Sequence, residues 1–200
     1  MSGSSETELR ALVRSLGIPG FLGVYDSRFP GFLHPQKRQC AIVNTGTRES
    51  GGMHWIAMAW EPVGYKLNLF DPLGWSRQEL KKYYGFSYEN LVRRSALQNP
   101  TRCVELVRNQ QAVQCSCSGS CGLWCCFFLY CFKLRPVDPF GSKLFQSLEG
   151  ARAAVHPPAP HLLHQNQEKL YSFLRQQSFY FRQHASSIEG NTRLGLIKTH

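Results

Sequence analysis

Apolar positions in this chain of 200 residues gather into short, dense runs, with stretches rich in Gly, Pro and Ser between them. The densest run, C-G-L-W-C-C-F-F-L-Y-C-F-K-L at 121–134, shows neither strict alternation nor a narrow stripe, which predicts a helix buried on all sides. It is preceded by a small, polar run, Q-C-S-C-S-G-S at 114–120, that reads as a loop feeding the first turn of that helix. Near the start, Ser5 and Glu8 have capping-box spacing, Leu9, Leu12, Val13 and Leu16 share one stripe, and Gly17 supplies the stop, predicting a helix over 5–16. Residues 53–60, M-H-W-I-A-M-A-W, are nearly all apolar and predict a strand covered on both faces. A second strand is expected at 65–71, joined to the first by the four-residue hairpin loop E-P-V-G. If Trp60 faces Tyr65 across that loop, then His54 faces Asp71, and directly opposed residues hold their Cβ atoms about 5 Å apart.

The remaining pattern predicts short elements. Residues 21–32 are aromatic and rich in turn formers, a packed loop, while 41–44 reads as a brief strand and 48–52 as a turn. Ser76 and Glu79 repeat the capping-box spacing before Leu80, Tyr83 and Tyr84, with Gly85 as the stop. A further helix is expected at 88–97, ended by Asn99-Pro100. Alternation around Glu105 predicts a strand at 103–107, and Leu170, Phe173 and Leu174 predict one long helix over 165–184. Loops are expected at 135–141 and 156–161. With no internal repeat and no compositional break, residues 1–200 read as a single domain of α+β class.

Composition narrows the setting. The longest apolar block is too short for a bilayer, which needs roughly twenty residues, and residues 1–16 carry no signal-peptide core, so no membrane association is expected. A reducing compartment follows, in which the eight cysteines are mostly free thiols, ligands or catalytic groups. Net charge is +10, from 23 basic and 13 acidic residues scattered as singles and pairs. Such a dispersed excess favours polyanions, nucleic acid first, although a solvated basic surface without a partner gives the same numbers.

Three chemistries fit these residues. Cys125, Cys126 and Cys131 lie inside the apolar block and read as core thiols. Cys121 precedes it, at a helix N-terminus where unpaired N–H groups and the macrodipole favour a thiolate. With His54 as base, Asp71 as its acid partner and the Gln114 amide beside the Cys121 N–H as oxyanion donors, this makes a nucleophilic site. Zinc is disfavoured, because Cys115-x-Cys117 is tighter than the usual knuckle and no second knuckle exists. A non-enzymatic nucleic-acid-binding module is the third, supported by charge alone and by no recognisable motif.

Several motifs together resemble the adenovirus protease family, viral cysteine endopeptidases distantly similar to proteases that process ubiquitin-like modifiers. They are F-L-G-V-Y-D-S-R-F-P-G-F at 21–32, C-A-I-V-N-T at 40–45, G-G-M-H-W at 51–55, L-V-R-R-S-A at 91–96, C-G-L-W-C-C at 121–126 and N-Q-E-K-L-Y-S-F-L at 166–174. The resemblance puts the family's catalytic His on His54, its acid on Asp71, its oxyanion Gln on Gln114 and its nucleophile on Cys121. It implies a papain-like fold, a mostly antiparallel sheet packed against the central helix, acting as a monomer. It also implies cleavage of viral precursor proteins after Gly-Gly or Gly-X during virion maturation, in the host nucleus and the virion. Two activators are implied: viral DNA, bound without sequence preference, and a peptide cut from the C-terminus of the precursor of capsid protein VI. The run T-R-C-V-E-L matches the family's stretch around the cysteine that forms a disulfide with that peptide, which places the role on Cys103. No metal is implied. Two departures stand out: Asp71 replaces the Glu usual in viruses of mammals, and Cys115 and Cys117 have no counterpart.

Overall fold

The computed structural model describes residues 3–148 and 160–193. Its centre is a sheet of five strands in the order β1 (Phe21–Tyr25), β2 (Gln39–Asn44), β3 (Trp55–Glu61), β4 (Lys66–Phe70) and β5 (Glu105–Arg108). The three inner strands are antiparallel, as expected, and each edge strand is added in parallel, β1 to β2 and β5 to β4. Both faces are covered, which is why β2 and β3 are buried at every position and read as unbroken apolar runs.

On one face, Cys40, Ile42, Ala57, Ala59 and Phe70 meet helices α1 (Glu6–Ser15), α4 (Cys121–Leu134), α6 (Pro160–Gln177) and α7 (Phe179–Thr192). On the other, Ala41, Val43, Ile56, Met58 and Trp60 meet Phe29, Phe32 and helices α2 (Arg77–Tyr84) and α3 (Tyr88–Arg94). A short helix α5 (Lys143–Gln146) closes the end of α4. Helix α4 buries ten of its fourteen residues, so no polar stripe survives in its sequence. Each of its fully buried Leu or Phe side chains contributes about 1.5–3 kcal/mol of transfer free energy. It lies over β3 where that strand presents Ala57 and Ala59, side chains small enough to let the helix approach closely.

Several sequence expectations change. The β3–β4 hairpin pairs Trp60 with Leu67 and Glu61 with Lys66, two residues away from the Trp60–Tyr65 register. Tyr65 leaves the ladder at φ 56°, packs edge-on against Trp60 and donates its hydroxyl to the Leu97 carbonyl at 2.7 Å. A shift of two preserves which side chains face which layer. Residues 21–25, expected as loop, form β1; Gly23 sits at φ 144° beside a bulge, and turn-forming residues hid the strand. The single helix expected over 165–184 is broken at Ser178, whose hydroxyl caps α7 by accepting from the Phe181 N–H at 3.0 Å and donates to Ser15. Of the loop expected at 156–161, the part up to 159 lies outside the described residues, and Pro160 already opens α6. Among the described residues no helix is long and apolar enough to cross a membrane.

Candidate active site

Cys121 is the first residue of α4, and its thiol opens onto a cleft of about 620 Å³. The helix starts there because Ser118, Gly119 and Ser120 cannot extend an apolar core, whereas Leu123 and Trp124 are fully buried. Gly122 follows the thiol for a steric reason. A Cβ at that position would lie 2.7 Å from Leu9 Cδ2 and 3.2 Å from Trp55 Cδ1, so the helix N-terminus sits hard against α1 and β3. The other five free cysteines differ from this one. Cys125, Cys126 and Cys131 are fully buried core residues, as expected, and burial pushes their thiols up, Cys131 to about 12. Cys40 is likewise buried and raised to about 12. Cys103 is exposed.

His54 precedes β3 and Asp71 follows β4, so the two side chains meet just beyond the last ladder pair, Ala57 with Phe70. His54 Nε2 lies 2.7 Å from Asp71 Oδ1, with the residues 3% and 1% exposed, so the pair is dry. The contact survives the register shift because residues diagonal across a ladder remain within reach of an imidazole. Asp71 cannot rotate away. Its Oδ1 accepts the Leu73 N–H at 2.9 Å, its Oδ2 accepts the Trp75 N–H at 3.2 Å, and Asn109 clamps its backbone through both N–H and C=O. The shorter acid is thus brought close enough by its own turn. On the face of His54, Tyr84 stacks at 5.4 Å between centroids, and Trp75 stacks on Tyr84 at 4.9 Å.

Burial alone would lower the His54 pKa. Hydrogen bonds and charge from Asp71, and then from Cys121, outweigh it and raise the group from 6.5 to about 10. With Nε2 committed to Asp71, Nδ1 is the nitrogen left for the thiol. An imidazole ring held between a carboxylate and a sulfur is placed to exchange a proton with that sulfur.

Gln114 lines the same cleft, buried, with its Nε2 donating to the Ser118 carbonyl at 2.9 Å. A primary amide carries two N–H groups, so one remains for a ligand. The loop from Gln114 to Cys121 is gripped by α6: Asn166 Nδ2 donates to the Val113 carbonyl at 3.1 Å, and Ser120 Oγ donates to Gln167 Oε1 at 3.3 Å. Within it, Cys115 and Cys117 are bonded to each other, a departure from the expectation of free thiols; two residues apart on a tight turn, their Cα atoms are 5.2 Å apart. Beside them stands His164, and among the described residues these three make the only grouped set of metal donors. The opposite wall of the cleft is the turn at 46–53, whose ends are pinned by Asn44 Oδ1 accepting from Gly46 and Met53 N–H, both at 2.9 Å.

A model of the adenovirus endoprotease family matches residues 21–196. The chain belongs to that family. It is 61% identical to the protease of Snake adenovirus serotype 1 over the whole of both chains. It is 47% identical to that of Human adenovirus B serotype 3, with 96% of this chain and 93% of the other covered. The protease of Frog adenovirus 1 is 43% identical over 99% of each. As a member of the adenovirus endoprotease family the chain is a viral endopeptidase of the cysteine type, and its substrates are viral proteins.

The structure brings His54, Gln114 and Cys121 to one cleft, with Asp71 buried beside His54, and leaves Cys103 apart, two residues before the edge strand β5 and outside it. The expected strand at 103–107 thus begins later, at Glu105. Sequence reasoning missed Asn109 and the stacking of Tyr84, and found Asn44 and residues 166 and 167 only as parts of family motifs. Buried Asn and Gln side chains serving backbone groups leave no periodic trace, since partners such as Met53 for Asn44, Asp71 for Asn109 and Val113 for Asn166 lie 9, 38 and 53 residues away.

Proposed function

We propose that this endopeptidase cleaves viral precursor proteins after Gly-Gly or Gly-X during virion maturation, with Cys121 as nucleophile, His54 as base, Asp71 as the acid that orients it and Gln114 as oxyanion donor. The observation that carries the reading is the line from Asp71 Oδ1 through the His54 ring to the Cys121 thiol. His54 takes the thiol proton, and the thiolate attacks the carbonyl carbon of the scissile bond. The resulting oxyanion is held by the Cys121 N–H at the start of α4 and by the spare Gln114 N–H. His54 then protonates the departing amine, and water, deprotonated by the same ring, releases the acyl group from sulfur. Met53, Trp55 and Tyr84 line the cleft around the thiol, a setting in which residues without side chains are the easiest to seat. A sheet carrying His and acid against a helix that begins with the nucleophile supports a papain-like fold with those parts in reversed chain order.

Two activators belong to this reading. Viral DNA is drawn by the dispersed +10 charge, consistent with work in the host nucleus and the virion. The peptide from the precursor of capsid protein VI adds as a strand to β5, which among the described residues is paired on one side only, and its cysteine bridges to the exposed, free Cys103. The test is cleavage of a peptide containing a Gly-Gly site by purified chain, alone and with DNA, activating peptide or both. Turnover rising with each addition, and absent in Cys121→Ala, is expected. Turnover by that variant, or equal cleavage of a peptide with both glycines replaced by leucine, overturns the reading. Cys103→Ser is expected to respond to saturating peptide yet lose the adduct that dithiothreitol releases.

A further inference from the structure

We infer that Cys115, Cys117 and His164 form a site for a borderline divalent cation of the Zn2+ kind when the Cys115–Cys117 disulfide is reduced. The donor atoms of all three residues lie within 4.8 Å of one another, and His164 Nε2 is 3.9 Å from Cys117 Sγ. Tetrahedral Zn2+ with ligands at 2.0–2.3 Å sets its donors about 3.3–3.8 Å apart. The imidazole therefore needs to move only slightly, and the sulfurs must separate to that spacing once the bond between them opens. The spacing that argues against a zinc knuckle in the sequence is overcome by a donor 47 residues away on α6.

Donor chemistry selects the ion. Two thiolates and an imidazole suit Zn2+ and exclude the hard cations Mg2+ and Ca2+, which take oxygen. Two thiolates also cancel the charge of a divalent ion, which suits a site whose cysteines are half-buried. The Cys117 N–H points at Cys115 Sγ at 3.3 Å, a donor that supports negative charge on that sulfur. The frame is already held, since Asn166 and Gln167 tie α6 to either end of the loop and so fix His164 against it. Three protein ligands leave the fourth position to solvent.

Disulfide and cation exclude each other. Two molecules of a glutathione-type thiol supply two electrons and two protons to the Cys115–Cys117 bond and leave as their own disulfide. Binding of the cation then displaces the two thiol protons to solvent.

The test uses the full chain carrying Cys121→Ser, so that the nucleophile contributes no sulfur, reduced and freed of reductant, and titrated with Co2+ as a spectroscopic stand-in. One equivalent is expected to give thiolate charge-transfer bands and the visible bands of a tetrahedral centre, both erased by Zn2+. The unreduced protein should stay colourless. Cys117→Ser should abolish the bands, and His164→Ala, an exposed helix position with no core role, should weaken binding about tenfold or more. No bands in the reduced chain, bands unchanged in His164→Ala, or bands that persist in Cys117→Ser and so arise from Cys103 or another thiol would each overturn the inference.

Discussion

Asp71 and Gln114 are the residues whose contributions separate most cleanly. Asp71→Asn keeps a hydrogen-bonding atom near His54 Nε2 but removes the charge that helps raise the ring to about 10. The alkaline limb of kcat/KM is therefore expected to move down toward 6.5 in that variant, with kcat falling less than in His54→Ala. A full pH profile measures it. The same raised pKa acts on stability, because the fold favours the protonated ring. Its contribution is complete below 6.5 and is lost as pH climbs through about 10, so the stability gap between parent and Asp71→Asn in denaturant should narrow along that range. Gln114→Ala should lower kcat by about 10²–10³ with little change in KM, since an oxyanion donor acts on the transition state and not on the bound substrate. Initial-rate kinetics with a Gly-Gly peptide decides it.

Packing between elements is where a single added carbon tells most. Gly122→Ala places a methyl against Leu9 and Trp55, both held in the core, and overpacking of this sort costs about 1–3 kcal/mol. Pairing it with Leu9→Ala should cost less than the sum of the two single changes, read from thermal or denaturant melts. Elements with strong local signals were legible in the sequence. The capping box of Ser76 and Glu79 is formed as expected, and the covered strand β3 and the buried helix α4 appear where their apolar density put them. The meeting of His54 with Asp71 was legible as well, for a reason partly fortunate. His54 and Asp71 meet although the hairpin register differs by two, because parity and not register sets the face. What was hidden depends on contacts far apart in the chain. The strand β1 exists through its pairing with β2, the break at Ser178 through its bond to Ser15, and the fixing of Asp71 through Asn109.

At the scale of the whole molecule, the scattered excess of Lys and Arg predicts DNA binding by counterion release. Affinity should fall steeply and linearly in log–log form with added salt, and unrelated sequences should bind alike. Fluorescence anisotropy over a salt series checks both, and a strong preference for one sequence would point to base readout instead. The grip of α6 on the Gln114–Cys121 loop has a further meaning in time. Gln167 lies 47 residues beyond Ser120, so during synthesis Cys121 emerges from the ribosome well before the side chains that hold its loop. A nascent chain therefore carries the thiol on a loop not yet held, and the cleft is complete only when the C-terminal helices have docked. For a viral endopeptidase whose substrates are proteins of the same virus, the order of translation is itself a delay.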